Sequence, residues 1–133
     1  MPKDRRGGRS LKKQPYNDYD VIGYANNGTI KVLKAKPGIK NAGVPLYSNR
    51  TNTVYFIAGG SNNDVTSVGV YRNRKLMFNI DIDPVLGNHY HVWQTKMVRG
   101  KEKQVKNTKH LYNLNAAQNK YLQMALNWNS GGN

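Results

Sequence analysis

The chain of 133 residues contains no cysteine and only seven acidic side chains, one of them a glutamate. Without a thiol there can be no disulfide framework, thiolate zinc site, iron–sulfur cluster or cysteine nucleophile. The shortage of acid leaves 21 Lys and Arg unbalanced and gives a formal net charge of +14. Solubility asks far less of a domain this size, so a polyanion is the expected partner. Also missing is any apolar run near the roughly 18 residues of a membrane span. The basic opening MPKDRRGGRSLKKQPYNDYD is not followed by the apolar segment of a secretory signal, and no membrane partner is expected. Gly59-Gly60 lacks the Gly-Lys-Ser/Thr that would make it a phosphate-cradling loop, and a hairpin turn accounts for it.

What is present is enough to fold. Nine Tyr, two Trp and two Phe accompany a hydrophobic fraction of 38%, and the mean hydropathy of −0.77 predicts one small core, as the length does. Residues 1–18, with Lys3, Arg5, Arg6, Arg9, Lys12 and Lys13 against Asp4, read as a flexible basic arm. Residues 19–129 read as a single α+β domain and residues 130–133 as a flexible tail.

Within the domain, β-branched and aromatic stretches alternate with turn formers. Asn27-Gly28 leads into a strand over 29–33, and Lys36-Pro37-Gly38 ends it. Strands are expected over 53–58, 64–71, 75–83 and 88–98, forming an antiparallel meander of about four to five strands. Strand alternation puts Leu76, Phe78, Ile80 and Ile82 on the core face. A basic loop follows. Asn115 then caps a helix over 116–128 whose Tyr121, Leu122, Ala125 and Trp128 share the face that packs on the sheet.

Most of the chemistry-bearing residues fall in one segment, from Ile80 to Trp93. His89 and His91, at spacing i, i+2, project from one side of a strand together with Trp93, so two imidazoles can address one point. Asp81 and Asp83 sit across the turn. One register leaves these carboxylates on the opposite face and a shift of one residue brings them to the histidines, and the sequence leaves both open. A metal could begin on the His pair with an Asp as third ligand, but His110 lies far off in the basic loop. No metal or cofactor is therefore assigned.

The inventory suits cleavage of RNA by its own 2′-hydroxyl, which needs a proton acceptor, a proton donor and cations for the phosphoryl oxygens. The candidate catalytic residues are His89, His91, Asp81, Asp83 and Tyr90. Arg50, Arg74, Lys96, Arg99, Lys101, Lys103 and Lys109 are candidates for the phosphates, with Trp93 for a base. RNA or another nucleic acid is the expected partner. The alternatives are a nucleic-acid-binding protein without enzymatic activity, of phage type, and a metal-dependent nuclease using the His-x-His pair. Glu102, set among Lys96, Arg99, Lys101, Lys103, Lys106 and Lys109, offsets repulsion rather than serving as a base.

Ile80-Asp81-Ile82-Asp83, the Gly87 turn and His89-x-His91-x-Trp93 resemble a motif of small C-terminal domains in bacterial polymorphic toxins and phage head-associated proteins. The segments from Gly43-Val44-Pro45-Leu46 to Tyr55-Phe56-Ile57 and from Val68 to Arg72 extend the resemblance over roughly residues 38–97. Such domains are similar to the barnase/EndoU/colicin/RelE-type ribonucleases, which carry an antiparallel sheet and need no metal. The resemblance implies His89 and His91 as catalytic residues and an acidic immunity protein as partner. It also implies a cytoplasmic site of action, reached as part of a secreted or phage-associated polypeptide.

Overall fold

The computed structural model describes residues 15–39 and 43–131. The basic arm as far as residue 14, and the tail from residue 132, lie outside the described residues. Seven strands form one sheet in sequential order. They are β1 (Tyr19–Ala25), β2 (Ile30–Ala35), β3 (Asn52–Gly59), β4 (Asp64–Arg72), β5 (Lys75–Asp81), β6 (His89–Val98) and β7 (Lys101–Lys106), and one helix follows, α1 (Ala116–Asn129). The class is α+β, but the expected antiparallel sheet of four to five strands is corrected to a mixed sheet of seven.

The two strands beyond those expected are β1 and β7, and one pairing is parallel rather than antiparallel. β2 and β3 run parallel, Lys31 beside Tyr55 and Lys34 beside Ala58, and the sixteen positions between the two strands are enough chain for the crossover that parallel pairing requires. β7 occupies what was read as a loop. It is an edge strand, Lys-Glu-Lys-Gln-Val-Lys, with Val105 as its one apolar residue, so it shows no apolar periodicity.

The turns are set by residues that tolerate positive φ. Asn73-Arg74 (53° and 66°) and Arg99-Gly100 (52° and 77°) join β4 to β5 and β6 to β7. Two such residues in a row give the tight hairpin whose twist matches that of the flanking strands.

Both faces of the sheet are covered. On one, Val32, Phe56, Val68 and Ile80 pack under Leu122 and Ala125 of α1. Asn115 caps the helix, accepting the Gln118 backbone N–H at 2.8 Å, while its own N–H donates to the Gln118 side chain at 2.8 Å. At the other end the Asn129 side chain accepts from the Val65 N–H and donates to the Val65 carbonyl. A Cβ at Gly23 would come within 2.6 Å of the Trp128 ring, so only glycine lets the ring lie on β1.

On the opposite face Leu33, Tyr55, Ile57, Tyr71, Leu76 and Trp93 pack beneath Val44. Leu76 was expected on the same side as Phe78 and Ile80. An irregularity in the β4–β5 register between Val70 and Tyr71 places it instead on the Trp93 side. The crossover is fixed there by Tyr71, whose hydroxyl donates to the Pro45 carbonyl at 2.6 Å. Tyr19 bonds likewise to the Gly43 carbonyl. Pro15–Asn17 forms a short 3-10 turn and Tyr16 packs edge-on against Tyr55, so ordered packing begins before Tyr19. No described helix is long and apolar enough to cross a membrane.

Candidate metal centre

The strand pairing settles the register that the sequence left open. Asp81 of β5 lies opposite His89 of β6, and Asn79 lies opposite His91. Directly opposed residues project to the same face, which brings Asp81, His89 and His91 together. Both imidazole Nε2 atoms lie 3.4 Å from the same atom, Asp81 Oδ2.

The other ring nitrogens fix what those Nε2 atoms can do. His89 Nδ1 is 2.7 Å from the Gly87 carbonyl and His91 Nδ1 is 3.1 Å from the Asn107 carbonyl. A carbonyl only accepts, so each Nδ1 carries its hydrogen, and a ring in its neutral form then turns a lone pair at Nε2 toward the carboxylate. Acceptors gathered in this way repel one another unless a cation lies between them. Zinc bonds of about 2.0–2.2 Å at the tetrahedral angle place neighbouring ligand atoms roughly 3.4 Å apart. The two Nε2–Oδ2 separations match that spacing.

The surrounding shell has the same character. Asp81 Oδ1 accepts from Ser67 Oγ at 3.1 Å and from Asn79 Nδ2 at 2.9 Å, and Asn79 Oδ1 accepts from the Trp93 indole N–H at 2.8 Å. These bonds turn Oδ2 toward the histidines, as outer partners do for metal-binding carboxylates. Burial is nearly complete for His89 (2% exposed) and His91 (3%), whereas the Asp81 side chain keeps 32% exposure. Desolvation, followed by the charge of Lys106, holds the His91 pKa below its ordinary value, favouring the neutral form that binds metals.

His110 completes the cluster. β7 doubles back along β6 with Trp93 opposite Lys106, and Tyr90 and Leu111 exchange backbone hydrogen bonds of 2.8 and 3.1 Å. The loop therefore carries His110 back over the start of β6. Its ring stacks on His89 with centroids 4.1 Å apart and planes 12° from parallel, and one nitrogen from each of the three histidines falls within a 4.8 Å group. His110 is exposed, so the cluster opens to solvent on its side.

The remaining candidates are dispersed. Asp83 is not part of the cluster: its Oδ1 accepts the Val85 and Leu86 N–H groups, each at 2.9 Å, and these bonds lower its pKa. Its role is to shape the turn that ends at Gly87. There φ is +89°, a value that suits glycine and aims the carbonyl at His89. Tyr90 points to the helix side, edge-on to Phe78, because strand alternation separates it from both neighbouring histidines.

Trp93 is 5% exposed and its indole N–H is bonded to Asn79, so it is a buried packing residue rather than an open stacking platform. Lys109 adjoins His110. Lys96, Arg99, Lys101 and Lys103 lie toward the far end of the β6–β7 hairpin, and Arg74 is in the β4–β5 turn at that same end. Arg50 lines a separate hollow of about 500 Å³ with Lys31 and Tyr16.

Sequence reasoning held His110 and Lys106 to be in a remote basic loop, and did not single out Ser67 or Asn79. The Arg99-Gly100 turn was the available signal for the placement of His110 and Lys106, since a hairpin there returns the chain to His89. No protein-family model, curated protein or solved structure matches the chain.

Proposed function

We propose that the chain is a metal-dependent nuclease, its cation held by His89, His91 and Asp81 with His110 beside them. The observation that carries this reading is the convergence of two imidazole Nε2 atoms on Asp81 Oδ2 at 3.4 Å. Three protein ligands and an open side make up the usual catalytic zinc site. With a cation held by these residues, the site would supply Lewis-acid polarisation of a phosphoryl oxygen and a more acidic water, chemistry that would not require a 2′-hydroxyl on the substrate.

The net charge of +14 favours a nucleic-acid phosphate as the group that arrives. The basic hairpin supplies a track for its neighbours: from His89 to Lys96 a strand spans roughly 23 Å, the reach of several nucleotides. The metal-independent route needs two histidines free to exchange protons at separate oxygens. Here both rings are sealed at Nδ1 and directed to one carboxylate oxygen, which favours the metal-dependent alternative.

The test uses protein stripped with a chelator and reloaded with zinc or manganese, assayed on RNA and DNA. Cleavage should vanish on stripping and return with metal. Replacing Asp81 by Asn should lower both metal affinity and cleavage by about 100-fold or more. Cleavage by the stripped protein would instead restore the two imidazoles to acid–base roles, and binding without cleavage under every condition would leave a nucleic-acid-binding protein.

A further inference from the structure

A hollow of about 500 Å³ opens at the end of the sheet where β2 and β3 begin. β4 and β5 separate those strands from β6, so it is a different site from the histidine cluster. Lys31 and Arg50 line it and no acidic side chain does. The ion pairs among the described residues involve other cations.

Hydrogen bonding in the wall leaves donors over. The Lys31 ammonium donates to the Tyr16 hydroxyl at 2.8 Å and sits 4.9 Å from the centre of that ring, which engages one of its three hydrogens. Asn49 Oδ1 accepts from the Tyr55 hydroxyl at 3.0 Å and the Tyr16 hydroxyl at 3.5 Å, so the amide hydrogens of Asn49 face away from the tyrosines. Asn52 Oδ1 accepts the Asn73 N–H at 3.3 Å, again leaving the amide hydrogens. With the exposed Arg50 added, this part of the wall offers two positive charges and several N–H groups, while the amide oxygens of Asn49 and Asn52 are already engaged.

The Arg50 segment is also held in place. Buried Ser48 donates its hydroxyl to the Arg50 carbonyl at 2.6 Å and its N–H to the Arg74 carbonyl at 3.0 Å, and the Arg74 N–H returns to the Thr51 carbonyl at 2.9 Å. A rigid recess of unopposed donors and cations selects an anion. Two cations match a phosphate monoester, whose charge near pH 7 is about −1.5 to −2, better than the single charge of a diester inside a strand. The volume lies in the range of small-molecule sites, roughly 300–1,000 Å³, and far exceeds a bare oxyanion. Half-buried Tyr121 and Val54 give the remainder of the ligand an apolar wall.

We propose that this hollow binds a phosphate monoester carrying an organic group of about nucleoside size, either free or as the 5′-terminal nucleotide of a strand. The inference is independent of the nuclease reading.

The full chain, with chelator present so that no metal competes for phosphate, is titrated by calorimetry with adenosine 5′-monophosphate, adenosine and inorganic phosphate. The monophosphate should bind at least about tenfold more tightly than either fragment. Lys31→Gln and Arg50→Gln should each weaken it about tenfold, the effect of losing a charge-assisted hydrogen bond. Lys34→Gln removes the same charge from the other end of β2, where the ammonium is bonded to Asn63 and the Gly60 carbonyl, and should change affinity less than about twofold. The exposed Arg50 reads out the site if Lys31→Gln does not fold.

Short single strands with a 5′-phosphate or a 5′-hydroxyl separate the two sources. A preference of about tenfold for the phosphate, lost in Arg50→Gln, identifies a strand end as the ligand, and equal binding of the two strands identifies the free ester. Monophosphate binding no tighter than that of inorganic phosphate, or equal weakening by all three substitutions, would overturn the proposal without touching the histidine cluster.

Discussion

Asp81 is the residue on which the proposed metal centre turns, and its two oxygens have different tasks. Oδ1 is held by Ser67 and Asn79, leaving Oδ2 for the histidines. Ser67→Ala should therefore weaken zinc binding by about tenfold without unfolding the protein, as read by competition with a chromogenic chelator. His91 supplies a pH test. Burial lowers its folded pKa, so the unfolded chain takes up the proton first. Stability from this group is present above the unfolded value of about 6.5 and falls as pH drops from there through the folded value. Thermal melts of metal-free protein between pH 8 and 5 should show that fall, and His91→Asn should flatten it. At this scale the sequence was legible as far as alternation reaches: His89, His91 and Trp93 do share a face. The position of Asp81 was not legible, because a one-residue slip in pairing exchanges the faces and only the folded turn selects between them.

Among the elements, the β6–β7 hairpin governs whether His110 reaches the cluster. Gly100 has φ of +77°, and a β-branched residue there costs roughly 1–2 kcal/mol. Gly100→Val should lower the melting temperature and also weaken zinc binding, whereas Asn115→Ala, which removes the helix cap at a cost of about 1 kcal/mol, should lower stability with little change in zinc affinity. Comparing the two variants separates general loosening from displacement of the loop. The helix was fully readable because its cap and apolar face are local signals. β7 was not readable, since its strand character comes from pairing with β6 rather than from apolar alternation. Missing it left His110 apparently remote. The parallel pairing of β2 with β3 was hidden for a similar reason: it depends on where a long crossover lands.

For the molecule as a whole, charge and chemistry are arranged along one axis. The histidine cluster and Lys109 lie at one end of β6, and Lys96, Arg99, Lys101 and Lys103 lie toward the other. A strand bound along this axis releases counterions from each neutralised phosphate. Replacing those four distal cations by Gln should reduce the salt dependence of single-strand binding by a slope of about 3, measured by fluorescence anisotropy over a range of salt concentrations. Metal affinity should not follow, because these side chains stand away from the cluster. The charge excess, and the polyanion it favours, could be read from composition alone, but its placement relative to the histidines needed the fold.

The most direct measurement is the metal content of the chain after dialysis against micromolar free zinc, joined with X-ray absorption at the zinc edge. One zinc per chain is predicted, bound by nitrogen and oxygen at about 2.0–2.2 Å with imidazole scattering, and lost in His89→Ala and Asp81→Asn. A wild-type chain that retains no zinc, or retains it equally well in both variants, would contradict the metal centre.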